Sequence, residues 1–176
     1  MKDWLKHGIF LRTLGRIWGA AGLAFLASLL PMYILRGFYH GDAGTARLAE
    51  DLLMTGIGIV FGFLFLLLLQ SRRKDTLQRS KTEICLDAAG GVGIYFVMWV
   101  LLQLWTKNTY LVAFCGYHLG YLLGVDGKKQ PVFWAALVAA LVYCCIYFAA
   151  LLLGCKLANY RARKIYERLQ KTEESI

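Results

Sequence analysis

The residues of this chain that could bind a ligand are few, and they lie near the ends of long apolar segments. Tyr117, His118 and Tyr121 fall in one short segment, and Gln103 lies near the end of the apolar segment before it. An apolar ring with a polar tip suits the boundary between lipid and water. These four residues are therefore candidates for contacting a ligand or a lipid headgroup. For His118, a plain interfacial position is the simpler interpretation.

Arg16 and Asp87 are the charged residues nearest to the interior of the apolar segments that contain them. A charge within a membrane is costly unless it is paired or reaches the interface, so such residues are the first suspects for function. Both fall on the same side of the membrane in the topology derived below. They are candidates for an ion pair between two helices, and they are also close enough to the boundary to reach water.

Sequence patterns that usually carry enzyme chemistry are missing. The chain has no G-x-x-x-x-G-K-[ST], H-E-x-x-H or G-x-S-x-G pattern. Its five cysteines include no C-x-x-C pair, and its three histidines are not spaced as metal ligands. No acidic residue lies in the middle of an apolar segment. We therefore expect no enzymatic activity, no cofactor and no metal.

Four apolar segments, close to or above the length needed to cross a membrane, dominate the chain. Hydrophobic residues make up 59% of its 176 residues, and its mean hydropathy is +0.52. About 20 helical residues cross the hydrocarbon layer. The segments are 14–35, 52–69, 87–106 and 131–155. The sequence predicts an all-α integral membrane protein, a bundle of four transmembrane helices that forms one domain over residues 1–176.

Basic residues are concentrated in regions that would face one side of such a bundle. These regions precede the first span, connect the second to the third, and follow the fourth as the tail 156–176, which we expect to be helical. Because basic residues mark the cytoplasmic side, both termini are expected in the cytoplasm, and small size with compact loops suggests a bacterial plasma membrane. The net charge of +9 then needs no nucleic-acid partner. The basic segments are expected to contact anionic headgroups, with a solvated helical tail as the alternative.

The segment 110–125 is apolar but short for a span. If it crossed, the basic tail 156–176 would lie outside, against the charge pattern. We therefore predict a re-entrant or interfacial half-helix on the outer side, with a fifth span as the alternative. Glycines recur at every fourth residue within it, as in a glycine zipper, and allow a neighbouring backbone to approach closely. They are Gly116, Gly120 and Gly124.

Small residues also indicate helix contacts within the spans. Gly58 and Gly62 are four residues apart in the second span, and Gly15 and Gly19 are four residues apart at the start of the first. In a membrane this spacing lets two helices pack closely. We expect all four glycines to lie in helix contacts.

These features favour a non-enzymatic membrane protein that works through helix contacts. It would be a subunit, chaperone or regulator of a larger membrane assembly, with a membrane-protein partner or a second copy of itself. The alternative is a small transporter or binder of an amphipathic or lipid-like molecule, with its site near Tyr117, Tyr121 and Gln103. A tightly packed interior with an exposed glycine face would favour the first function, and a polar cavity open to one side would favour the second.

Overall fold

The computed structural model describes residues 9–38, 43–72, 80–106 and 133–173, together with Leu119, Leu122 and Leu123. These residues are almost entirely helical, as the apolar segments predict. The long helices are α1 (Ile9–Phe38), α2 (Ala43–Ser71), α3 (Lys81–Thr106) and α4 (Phe133–Glu173).

Three of the described helices, α2, α3 and α4, are long and apolar enough to cross a membrane. Their apolar stretches are Leu48–Ser71, Lys81–Leu101 and Phe133–Gln170. The chain is thus all-helical with membrane-length helices, and this part of the sequence prediction is confirmed.

Local sequence explains where α3 begins. Ser80 Oγ accepts a hydrogen bond from the backbone N–H of Glu83 at 3.2 Å, and Glu83 Oε2 accepts one from the backbone N–H of Ser80 at 3.0 Å. This reciprocal pair satisfies two of the N–H groups that the first helical turn leaves unbonded. The connection from α2 therefore ends in a defined helix start, a few residues before the buried Asp87.

Each helix packs mainly on two others. Among the described residues, α1 contacts α2 and α3, and α4 contacts the same two helices. This leaves α1 diagonally opposite α4, and α2 diagonally opposite α3. The beginnings of α1 and α3 meet the end of α2 and the later part of α4. We call this the basic end, because Arg16 and Lys156 lie near it. It is defined by Thr13, Gln70, Asp87 and Cys155.

Tyrosine rings fill the middle of the packed helices. Tyr95 contacts Trp18 with ring centroids 5.2 Å apart, and it contacts Tyr147 with centroids 5.9 Å apart. Tyr143 in turn packs on Tyr147 at 6.1 Å. Edge-to-face contacts of this kind add to the stabilisation from burial. Four alanines belong to the same buried cluster and leave room for the rings: Ala20, Ala21, Ala88 and Ala150.

The outer surface of the helices is strongly apolar. Large exposed apolar side chains occur on each of them. Examples are Leu26, Leu64, Leu68, Val97, Leu101 and Leu153. A soluble protein rarely exposes so large a contiguous apolar area, whereas a lipid-facing surface requires it. The exposed surface therefore agrees with the hydropathy of the sequence.

Candidate functional site

Thr13 and Asp87 form a buried polar contact between α1 and α3. Thr13 Oγ1 lies 3.1 Å from each oxygen of Asp87 and donates to that carboxylate. The exposed fractions of the two residues are only 1% and 2%. Gly91, one helical turn after Asp87, makes this approach possible, because a Cβ there would lie 2.7 Å from Thr13 Cγ2. The carboxylate is thus desolvated and held by a hydroxyl from the neighbouring helix.

A chain of hydrogen bonds joins the other helices at the same end. Arg16 Nη1 donates to Gln70 Oε1 at 2.8 Å, and Gln70 Nε2 donates to Cys155 Sγ at 3.0 Å. Gly154 gives the Gln70 side chain its space, since a Cβ there would lie 2.7 Å from Gln70 Cβ. Arg16 is only partly exposed, and Gln70 and Cys155 are buried. This chain ties α1 to α2 and α2 to α4.

At the basic end, hydrogen bonds between buried polar side chains therefore join the four helices. Leaving one of these buried groups without its partner would cost about 1–3 kcal/mol. The hydrogen bonds connect side chains on different helices, so they hold the helices in one relative register.

The ion pair expected between Arg16 and Asp87 stays a prediction. The structure brings both residues to the basic end, where Arg16 bonds Gln70 and Asp87 bonds Thr13. Neither Thr13 nor Gln70 was predicted from the sequence. The spacing of Thr13, Ile17, Ala20 and Ala24, by three and four residues, could have indicated Thr13, because these positions form the inward face of α1.

A second buried polar group lies toward the opposite end of α2. Asp51 and Thr55, four residues apart, are both buried. The Tyr143 hydroxyl lies 3.5 Å from the carbonyl oxygen of Thr55 and donates to it. In the described part of the chain, Thr55 Oγ1 is enclosed without a hydrogen-bond partner. The sequence predicted a span from residue 52 with a helical lead-in through residues 46–51, and α2 begins at Ala43, so Asp51 lies well within the helix.

The two glycine pairs expected at helix contacts differ in their surroundings. Gly58 and Gly62 face α4, where a Cβ would lie 2.8 Å from the Tyr143 hydroxyl oxygen and 3.1 Å from the Tyr147 ring, respectively. Gly15 is exposed, and a Cβ on it would meet nothing within 4 Å. The same holds for Gly19. Any helix contact at these two glycines must therefore come from outside the described residues.

α1 turns this glycine face away from the other helices. Gly22 continues it, again with nothing within 4 Å of an added Cβ. Leu11 and Leu26 lie on the same side and are exposed. The three glycines thus form a shallow groove between large apolar side chains, opposite the inward face that carries Thr13 and Ile17.

Within the segment 110–125, the structure describes Leu119, Leu122 and Leu123, which are helical. Leu119 is half-buried and packs against the core cluster that contains Tyr143 and Tyr147. The other predicted residues of this segment lie outside the described residues: Gly116, Tyr117, His118, Gly120, Tyr121 and Gly124. Gln103 lies in α3, but its side chain is likewise outside the described part.

No family model, curated protein or solved structure matches this chain, so its function is inferred from the geometry of its own residues.

Proposed function

We propose that this chain is a non-enzymatic membrane protein that works through helix contacts, as a subunit, chaperone or regulator of a larger membrane assembly. The observation that carries the proposal is the exposed glycine face of α1, formed by Gly15, Gly19 and Gly22. This face offers a second helix, from a partner protein or another copy, a place to dock.

Physical chemistry favours a partner on this face. Helices in lipid associate through close packing, because hydrocarbon around them is as apolar as their side chains. A glycine turned toward lipid contributes no packing and weakens the helix by about 1 kcal/mol relative to alanine. Leu11 and Leu26 border the glycines and are exposed. A second helix seated between them would gain contacts with both the glycine backbone and the leucine side chains.

The filled interior supports the same function. The centre of the packed helices holds the rings of Tyr95, Tyr143 and Tyr147 in mutual contact. At the basic end, hydrogen bonds between Thr13 and Asp87 close the contact of α1 with α3. A transporter of polar solutes needs a hydrated path, and these side chains fill the space that such a path would use.

The proposal includes the topology predicted from the sequence. α1 crosses the membrane together with α2, α3 and α4, which makes four spans. The termini lie in the cytoplasm of a bacterial cell, and 110–125 forms a half-helix at the outer side. The basic residues Arg72, Lys156 and Arg161 lie toward the basic end, as basic residues do on the cytoplasmic side, where they meet anionic lipid headgroups. Packing of Leu119 on the core supports a half-helix that returns to the other helices.

A second candidate function is the binding or transport of an amphipathic or lipid-like molecule. The observation that favours it is the buried pair Asp51 and Thr55, since a threonine hydroxyl enclosed without a partner leaves hydrogen-bonding capacity for a ligand. This pair lies toward the end of α2 from which α4 begins, the end at which the half-helix is expected. The two functions predict different bound species in the purified protein.

Native mass spectrometry from mild detergent tests the proposal. We expect the full-length chain to carry a partner protein or a second copy, and replacement of Gly15 and Gly19 by leucine to remove it. Gly56→Leu is the matched control, because Gly56 is equally exposed and open but lies on α2. A monomer carrying only a lipid-sized adduct would contradict the first function and favour the second.

A further inference from the structure

α4 continues well past the helices that it packs against. It has 41 residues and, at 1.5 Å per residue, is about 60 Å long. Its first part, residues 133–155, has no charge and is long enough to cross a membrane. Arg161 Nη1 reaches Ser71 Oγ at 3.5 Å, and Ser71 is the last helical residue of α2. The residues of α4 after Arg161 therefore extend beyond the end of α2.

The inward face of α4 continues along this extension. Tyr147, Leu151 and Ala158 lie on that face and are buried. After Ala158, at intervals of four, three and four residues, the same face continues with Ala162, Ile165 and Leu169. We call these three residues the open seam. Ile165 is 59% exposed and Leu169 is 58% exposed. The same apolar stripe is thus covered by α2 and α3 up to Ala158 and exposed at Ile165 and Leu169.

The C-terminal segment 156–176, which contains the open seam, has more basic than acidic residues. Its six basic residues are Lys156, Arg161, Arg163, Lys164, Arg168 and Lys171, and its three acidic residues are Glu167, Glu173 and Glu174. Arg161 and Arg168 border the seam on one side. An apolar stripe bordered by positive charge is complementary to a helix whose own apolar stripe is bordered by carboxylates.

Other occupants fit this surface less well. A second copy would bring two basic helices together, and like charges across a helix interface are destabilising. A flat position on the membrane surface would need a sharp bend after the spanning part of α4. α4 is assigned as one continuous helix to Glu173, and residues 155–173 contain neither glycine nor proline, the usual causes of such a bend.

We propose that the open seam is a docking surface for an acidic amphipathic helix of a partner protein, on the side of the membrane that the basic end faces. The proposal rests on the function proposed above, since it supposes that the chain acts through partners, and it specifies the chemistry of one of them. In the complex, Ile165 and Leu169 are buried by apolar residues of the partner, and the bordering arginines face its carboxylates.

Site-specific photocrosslinking of the full-length chain in intact cells tests which molecule occupies the seam. The crosslinking residue replaces Ile165, and in the control it replaces Tyr160, which is 63% exposed and lies on the other side of the helix. We expect position 165 to give an adduct with another protein, through a peptide with net negative charge and apolar residues at helical spacing. An adduct with lipid, with a second copy or with this chain itself would overturn the proposal, as would no adduct or equal yields at both positions.

A binding measurement tests the chemistry independently of the cell. The full-length chain in nanodiscs of zwitterionic lipid is titrated with a labelled synthetic helix that has leucines on one face and glutamates at its borders. We expect binding that falls by about tenfold, which is about 1.4 kcal/mol, in Ile165→Ser/Leu169→Ser. Tyr160→Ser should bind as the unmodified chain does. Equal binding of a helix with lysines at its borders, or no binding at all, would overturn the proposal.

The outcomes separate this inference from the proposed function. If Gly15→Leu/Gly19→Leu leaves the oligomeric state unchanged while position 165 still crosslinks to an acidic helix, the glycine face fails and the open seam stands. If the glycine variant loses its partner and position 165 yields no protein adduct, the seam fails and the glycine face stands.

Discussion

The glycine pairs of α1 and α2 have the same spacing and opposite surroundings. In α2, Gly58 and Gly62 admit the side chains of Tyr143 and Tyr147, and an added Cβ would crowd both. In α1, a Cβ on the first or second glycine of the pair would meet nothing within 4 Å. Spacing by four residues therefore predicts a helix face that can be approached closely. It does not predict whether a ring, a backbone or another molecule makes the approach.

The largest loss of stability is expected when the two glycines of α2 are replaced by large residues. Replacing Gly58 and Gly62 by leucine forces Tyr143 and Tyr147 away from α2, and overpacking of a core commonly costs about 1–3 kcal/mol per site. We expect a loss of several kcal/mol in unfolding free energy, measured by thermal unfolding of the purified protein in detergent. Unchanged stability would mean that α4 does not pack on these glycines.

A smaller, more specific effect concerns Gly58 and the Tyr143 hydroxyl. Gly58→Ala should destabilise, because its Cβ would lie 2.8 Å from that hydroxyl oxygen. Tyr143→Phe removes the crowding oxygen, so we expect the alanine to cost about 1 kcal/mol less in the Tyr143→Phe background. Unfolding of the four proteins of this double-mutant cycle measures the coupling, and additive effects would place the crowding elsewhere.

Thr55 lies on the same face of α2 as Gly58, but replacing it should stabilise the protein instead of destabilising it. Thr55→Val keeps the shape of the side chain and removes a buried hydroxyl that has no partner among the described residues. We expect stabilisation of up to about 1 kcal/mol, because an unsatisfied buried polar group is costly. The measurement is thermal unfolding, with Thr13→Val as the control. That variant should destabilise, since Thr13 donates to Asp87. A destabilised Thr55→Val protein would indicate that a bound molecule uses the hydroxyl.

The smallest effect on the isolated chain is expected in α1. Gly15→Ala and Gly19→Ala place a methyl group into open space, so their unfolding free energies should change by less than about 1 kcal/mol, in the stabilising direction. Thermal unfolding of the monomer measures this. Marked destabilisation would show that the face packs within the chain, and the contrast with α2 would disappear.

The helices of this protein were more predictable from its sequence than the contacts between them. Long apolar segments predicted α2, α3 and α4 as membrane-length helices, which is confirmed. The apolar block that predicted α2 begins at residue 52, because hydropathy marks where charge ends and not where hydrogen bonding begins. The polar residues 46–51 were expected to form a helix that leads into this block, and they do, but the sequence did not indicate that Asp51 is buried.

Hydrophobicity and charge along the chain determined that it forms long helices with an uncharged surface for lipid, because each helix satisfies its own backbone whatever its neighbours are. Only the tertiary structure decided that Thr13 meets Asp87, that Gln70 bridges Arg16 and Cys155, and that three tyrosines meet at the centre. Those contacts depend on which helices are adjacent and on how each is rotated about its axis. The spacing of residues along one helix does not show which residues of the other helices they meet, so the partners of the inward polar residues became visible only when the helices were packed together.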